Sequence, residues 1–539
     1  MAAGVYPWLV LVGAMLALLF MSYILYHYFT DPNESYFLAM LAVVLSFTIS
    51  ILCTLLIPVD IYVISEGDIN AESLHLTISQ DSMKEAYMGL FSAVLFMAFC
   101  AVPYAYFYGE DKGHQEFDDK LDKVVNAGCW TAFRSTGFFM GFVMVLLVIG
   151  LNFRPGHTES LDKALESQEH AVRWIGDLLD IEHGGLNAIS FSIACLTCFG
   201  VIGWVFYTAY GMAAMPFDWL RGKQSATEQR QDLEESISAI RDKYRAIQAK
   251  YCTREDGTLD LSRMKAGDRK ELNRLQREHK SLMQHNYRLQ EIEEKAGAII
   301  PQLLQCLVPF RWMIGIGMMC ISLLVVISLL LTLMDRMLHS PCGWSCGYTL
   351  KERVIFNPAD EIFLKLSHVF PVDFIVLSII VLYIFCASVF GIIGLGIRIL
   401  CFNMYALRTR KSMPQALLVL CNVMSHILLA LCMALLTIAP NYTAFGSQTI
   451  NSEDGTPGLC SFEKQETKVS CQVSVISAFF TRIAIAMPLF SVAYYFANWA
   501  FIFVFFSVFA RCLFCQKRQP FIDTVPECEE EELGLLSFS

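Results

Sequence analysis

Apolar residues along this chain gather into nine stretches, approximately residues 7–28, 36–64, 86–108, 130–152, 187–214, 312–334, 371–399, 414–439 and 478–511. Each exceeds the roughly 20 residues that cross a ~30 Å hydrocarbon layer. None carries a polar stripe, and lipid offers no partner to an open strand edge, so each run predicts a helix. The pattern predicts an all-α polytopic membrane protein, with nine transmembrane helices and a cytosolic helical-hairpin insert of coiled-coil character. Its parts are residues 1–215 (helices one to five), 216–311 (insert), 312–511 (helices six to nine) and 512–539 (acidic tail). The first run lacks a basic leader and is too long for a signal peptide, which reads as a retained anchor.

Inside the insert the period changes. Leu233, Ile237, Ile240, Tyr244, Ile247 and Tyr251 alternate spacings of four and three, the mark of a heptad seam. Asp256-Gly257 breaks the run. A second seam follows at Leu272, Leu275, His279, Leu282, Asn286 and Leu289. Two amphipathic helices joined by a turn predict an antiparallel hairpin, either a structural arm or a docking surface for a partner. The polar occupants His279 and Asn286 weaken self-pairing and leave room for docking.

Composition agrees with a bilayer. Of 539 residues, 55% are hydrophobic and only 17% charged, with a mean hydropathy of +0.47. A net charge of −11 without a basic face argues against nucleic acid as a partner. An odd number of spans puts the termini on opposite sides. With the N-terminus lumenal, 29 of the 40 basic residues face the cytosol, among them the acid-free segment Leu407-Arg408-Thr409-Arg410-Lys411. The same topology places only Cys342, Cys346, Cys460 and Cys471 outside, two in each of two loops, as an oxidising compartment favours. These four are candidate disulfide cysteines. Asn441, in Asn441-Tyr442-Thr443, is the glycosylation candidate on that side, whereas Asn33 faces the cytosol.

Motifs for phosphate cradling, zinc hydrolysis and a serine nucleophile elbow are missing, so the sequence indicates no enzyme and no bound cofactor. Ionisable and amide side chains at membrane depth are costly and single themselves out. Pro58-Val59-Asp60-Ile61-Tyr62 and Pro371-Val372-Asp373-Phe374-Ile375 repeat one phrase in opposite directions through the outer leaflet. Asp373 opens its helix, where the dipole favours an anion; Asp60 closes one, where it does not, and so requires a partner or a function. His426 and Asn498 are the other intramembrane candidates, with interhelical hydrogen bonding as the plain alternative. In the tail, Cys512 and Cys515 beside Lys517 and Arg518 suit palmitoylation. Glu531, Leu535 and Leu536 form an acidic-dileucine signal of the kind read by clathrin adaptors.

Several phrases together are recognisable: Leu56-Ile57-Pro58-Val59-Asp60-Ile61, Tyr207-Thr208-Ala209-Tyr210-Gly211-Met212, Phe370-Pro371-Val372-Asp373, Phe445-Gly446-Ser447-Gln448 and Tyr494-Tyr495-Phe496-Ala497-Asn498-Trp499. With them the chain resembles the LMBR1-domain membrane proteins nearly end to end, and most of all their lysosomal branch. The resemblance implies a multi-pass lysosomal protein needed for cobalamin to reach the cytosol. It implies cobalamin as the transported ligand and an ATP-binding-cassette subfamily D transporter as partner, with a cytosolic cobalamin-processing protein as a further one. A plasma-membrane pool acting as a lipocalin-type endocytic receptor, and a proton-coupled carrier using Asp60 or His426, are the alternatives. The family's Y-E-R-L adaptor motif is not matched, since Thr227-Glu228-Gln229-Arg230 stands in that neighbourhood.

Overall fold

The computed structural model describes residues 6–31, 36–66, 80–115, 184–221, 226–251, 265–295, 310–340, 354–369, 371–399, 402–405, 412–451, 457–460, 471–486 and 488–514, with isolated positions at 130–145, 343, 348 and 407. Among the described residues seven helices are long and apolar enough to cross a membrane, and they coincide with the second, third and fifth to ninth apolar runs. The first run forms α1 (Tyr6–Phe29), and the fourth is helical where it is described.

Two compact units result. The first comprises Met1–Met215 with Met318–Arg511, and the second Pro216–Gly317 with Cys512–Ser539. The first unit contains α1, α2 (Phe37–Glu66), α3 (Gln80–Phe96), a π-helical turn Met97–Ala101 and α4 (Val102–Gln115). Then come α5 (Gly184–Gly203), a second π turn Trp204–Thr208 and the start of α6 (Ala209–Arg221). α7 (Ala226–Tyr251) and α8 (Ala266–Lys295) belong to the second unit. The first unit resumes within α9 (Arg311–His339), followed by α10 (Pro358–Leu366), α11 (Val372–Leu395), α12 (Pro414–Ile438), α13 (Pro440–Phe445), α14 (Val475–Ala486) and α15 (Pro488–Phe514). Two short antiparallel hairpins interrupt the all-α pattern: β1 (Ile397–Ile399) with β2 (Phe402–Tyr405), and β3 (Thr449–Asn451) with β4 (Pro457–Leu459).

One predicted span is corrected. The apolar run 478–511 is two helices, because Pro488 supplies no N–H to continue α14 and instead opens α15. Only the second half is long enough to cross.

In the first unit α12 is the axle. Its spanning window is 78% buried, against 22% for α15. Lipid gives no hydrophobic force between helices, so close contact and shared hydrogen bonds must hold them. The α2–α12 seam does this with Ser425, whose Oγ lies 2.7 Å from that of Ser50 and 3.2 Å from that of Ser46. The second π turn presses backbone to backbone on α11. A Cβ at Gly211 would stand 1.8 Å from the Ala387 carbonyl oxygen, and one at Gly391 would stand 2.0 Å from that of Tyr207. Thr208 and Ser388 hydroxyls meet there at 2.8 Å. The phrase Tyr207-Thr208-Ala209-Tyr210-Gly211-Met212 is thus a packing device.

The second unit is simpler. In α7 and α8, Leu233, Ile237, Ile240, Leu272 and Leu275 are buried, and Leu282 packs on the Leu233–Ile237 cluster. Contact between the start of α7 and the latter part of α8 makes the pair antiparallel. Tyr244 and Ile247 are half-buried; Leu289 lies outside the residues whose side chains are described.

These close approaches carry a test. Gly211→Ala is expected to lower stability by about 1–3 kcal/mol, the usual cost of overpacking, in equilibrium unfolding of the detergent-solubilised protein. Gly89→Ala, whose new Cβ meets nothing within 4 Å on an exposed face of α3, should be neutral or slightly stabilising.

Candidate functional site

The sequence candidates converge on one end of the first unit, around the six-residue helix α13. Asp60 is fully buried. Its own helix α2 is ending, but the N-terminus of α14 arrives against it. The Ile476 N–H donates to Oδ2 at 3.0 Å and the Val475 N–H to Oδ1 at 3.3 Å. The carboxylate satisfies two otherwise orphaned donors and faces a positive dipole end. That is the partner the sequence required for Asp60. Ser474 completes the cap: its Oγ accepts from the Ser477 N–H and donates to the Thr443 carbonyl at 2.7 Å.

Asp373 serves the other side of α13. The Tyr442 hydroxyl donates to its Oδ2 at 2.7 Å. Burial first, and this hydrogen bond second, hold the Tyr442 phenol well above its ordinary value, so it stays a donor. The Tyr442 ring also stacks on Phe363 at 4.8 Å. The duplicated phrases meet directly, with the rings of Tyr62 and Phe374 edge to face at 5.4 Å. Gly446, at φ +61°, closes α13 where a Cβ would collide with Ser65 Oγ, and that oxygen accepts the Ser447 N–H.

Two further carboxylates belong here that the sequence reading passed over. Asp360 accepts the N–H groups of Asn441 and Tyr442 at 3.1 and 3.0 Å. Asp335 accepts those of Val354 and Ile355 and pairs with His339 at 2.8 Å. Asn357 anchors α10, accepting from Ala359 N–H while donating to Thr332 and to the Ile438 carbonyl. The signal was readable: Asn357-Pro358-Ala359-Asp360-Glu361 is a capping residue, a proline at the first helical position and two acids in the first turn.

A disulfide joins Cys460 to Cys471, with a Cα–Cα distance of 6.1 Å. Its sulfurs are buried with Ala444, Phe445, Val473 and Ala478. Gln448 stitches the same region, donating to Phe445 and Gln472 carbonyls and accepting the Gln472 N–H.

The remaining candidates scatter. His426 turns its Nδ1 to the Asn422 carbonyl at 2.6 Å, and Asn498 donates to the Tyr494 carbonyl at 2.9 Å. Both bonds run back along their own helices, and among the described residues neither residue makes the interhelical bond expected of it; an i−4 carbonyl is the nearest acceptor when lipid supplies none. Asn441 lies in α13 with Tyr442 and Thr443 fully buried. Asn441 itself is half-buried, at the second position of that short helix instead of on a loop. Cys512 is half-buried near the end of α15, where its carbonyl accepts from the Arg221 guanidinium. Cys342, Cys346, Cys515, Glu531, Leu535 and Leu536 lie outside the described residues, as does Asn33. No cluster of three metal-ligating side chains occurs among the described residues.

The caps around α13 can be measured. Asp60→Ala buries two N–H groups without an acceptor and is expected to cost about 3–5 kcal/mol, whereas Asp60→Asn keeps one acceptor and should cost about 1–2 kcal/mol. Equilibrium unfolding separates the two. A double-mutant cycle on Tyr442→Phe and Asp373→Asn should return a coupling of about 1–3 kcal/mol.

Comparison with known proteins places this architecture. The chain is 28% identical to the lysosomal cobalamin transport escort protein LMBD1 of Bos taurus, covering 97% of this chain and 95% of the relative. It is 29% identical to the human protein of that name, covering 96% and 95%. Against a protein of Dictyostelium discoideum named probable lysosomal cobalamin transporter it is 27% identical, covering 98% and 99%. No solved structure matches. Residues 8–302 match the family described as LMBR1-like membrane protein, and the chain belongs to that family.

Proposed function

We propose that this protein is a lysosomal membrane escort, required for cobalamin to pass from the lysosome to the cytosol. The observation that carries the reading is the end-to-end similarity, over 97% of the chain, to proteins named for that role. Cobalamin is the transported ligand and no enzyme activity is implied. The transport step falls to an ATP-binding-cassette subfamily D transporter that this chain accompanies. The N-terminus is lumenal and the tail cytosolic, the side favoured by the basic residues. The hairpin of α7 and α8 then offers cytosolic partners, a cobalamin-processing protein among them, its exposed charged faces. Glu531, Leu535 and Leu536 bring clathrin adaptors to the tail.

The engaged carboxylates support escort over carrier. A proton-driven carrier needs an acid that is free to load and release protons. Asp60 is instead occupied on both oxygens in holding α14, and Asp373 on Oδ2 in holding Tyr442 of α13.

Cells lacking the protein are expected to accumulate lysosomal cobalamin, relieved by wild-type chain and not by Leu233→Asp, which places a charge in the hairpin seam. Leu535→Ala with Leu536→Ala should move the protein to the plasma membrane, read by surface biotinylation. Purified chain in liposomes should move no cobalamin down a pH gradient. Transport there, without an ATPase, would replace the escort reading with a carrier.

A further inference from the structure

Lys84, Tyr87, Met88 and Phe91 fall on one stripe of α3, three or four residues apart. Val475 and Phe479 of α14 lie opposite, and the six side chains line a furrow between the two helices. The rings of Tyr87 and Phe91 lie 5.8 Å apart, and Phe91 meets Phe479 across the furrow at 4.9 Å. Tyr87, Phe91, Val475 and Phe479 are buried, whereas Lys84 and Met88 are half-buried at its edge.

The surface that the furrow presents is apolar, with Lys84 contributing its stem. It is shallow, with about 240 Å³ of empty space counted out to its mouth. A pocket that encloses a small molecule holds roughly 300–1,000 Å³. A hydrocarbon chain can lie along such a furrow, whereas a soluble ligand would not be enclosed by it.

Depth decides what reaches Lys84. α3 opens a spanning stretch of 29 residues, Ser82–Glu110, about 43 Å long at about 1.5 Å per residue. A hydrocarbon layer is ~30 Å thick, so the first turn, with Lys84, lies at the level of the headgroups. Met88 and Phe91 lie one and two turns further in. A lysine there runs its stem along apolar surface and holds its ammonium at the interface, where an acidic headgroup is the complementary charge.

The furrow also touches the capped carboxylate. Val475 forms part of its wall and gives one of the two N–H groups that Asp60 accepts. A chain lying in the furrow therefore braces α14 at the turn that Asp60 caps.

We propose that the furrow between α3 and α14 holds one acyl chain of an acidic phospholipid, with the headgroup phosphate on Lys84 and the chain against Met88, Phe91 and Phe479. The site depends on the polypeptide crossing a bilayer and not on the transport reading.

The test uses the full chain, purified in neutral detergent and returned to nanodiscs of phosphatidylcholine and phosphatidylglycerol in equal amounts. Native mass spectrometry counts the phospholipid that each variant retains, and thermal unfolding in detergent is followed with each lipid added back. Wild type should retain phosphatidylglycerol over phosphatidylcholine and unfold at a higher temperature with it. Lys84→Gln should weaken retention of phosphatidylglycerol about tenfold, the worth of one charge-assisted hydrogen bond. Met88→Trp, which fills the furrow, should lower retention of both lipids. Gly89→Ala, on the exposed face of α3, should behave as wild type. Unchanged retention in either Lys84→Gln or Met88→Trp would overturn the site, as would a wild type without preference between the two lipids. Glycerol phosphate added alone should leave the unfolding temperature where it is; protection by it would mean headgroup binding without the furrow and overturn the proposal. Should Met88→Trp fail to fold, Lys84→Gln and the preference of wild type decide.

Discussion

Buried carboxylates that accept backbone N–H groups close one end of this bundle. Four aspartates, 60, 335, 360 and 373, sit there with between 0% and 5% exposure. Three take amide donors from the chain, and the fourth, Asp373, takes the Tyr442 hydroxyl on Oδ2 while its Oδ1 has no partner among the described residues. In an apolar setting an unpaired charge and an unpaired amide are each expensive, and meeting removes both costs at once. α13 and the start of α14 follow from this. α13 is too short to be stable alone, and it persists because Asp360, Asp373 and Ser474 hold its N–H groups, its tyrosine and its last turn.

Below that end the organisation depends on absence of bulk. Gly200, Gly211 and Gly391 let main chains approach until only hydrogen fits between them. At such separations hydroxyls of Thr208, Ser388, Ser425, Ser46 and Ser50 can reach across. The π turn Trp204–Thr208 lies at the crossing with α11, where Tyr207 meets Gly391 and Thr208 meets Ser388.

Much of the architecture was legible from the residues. Of the nine apolar runs read as crossing helices, seven coincide with helices long enough to cross among the described residues, and heptad spacing placed Leu233, Ile237, Ile240, Leu272 and Leu275 in the hairpin seam. Both signals are local, since they follow from the period of a helix and its solvent. The ninth run was read as continuous because hydropathy averages over a proline that ends one helix and begins the next. His426 and Asn498 drew notice as polar residues in lipid, yet their bonds turn back on their own helices, a choice that no composition reveals. Asp360 and Asn357 went unremarked because a nine-residue helix between spans has no long apolar signature, although its capping pattern was present.

The sequence by itself determined that the chain crosses a bilayer repeatedly, that a paired helical insert interrupts the crossings, and that Asp60 needed a partner. It could do so because hydropathy, heptad period and helix-dipole sign are set by neighbours along the chain. Only the tertiary structure decided which partner: amides of Val475 and Ile476, more than four hundred residues away. The same holds for Tyr442 on Asp373 and for Gly211 on Ala387. Each joins groups distant in sequence, and only their arrangement in space determines which donor is left for which acceptor.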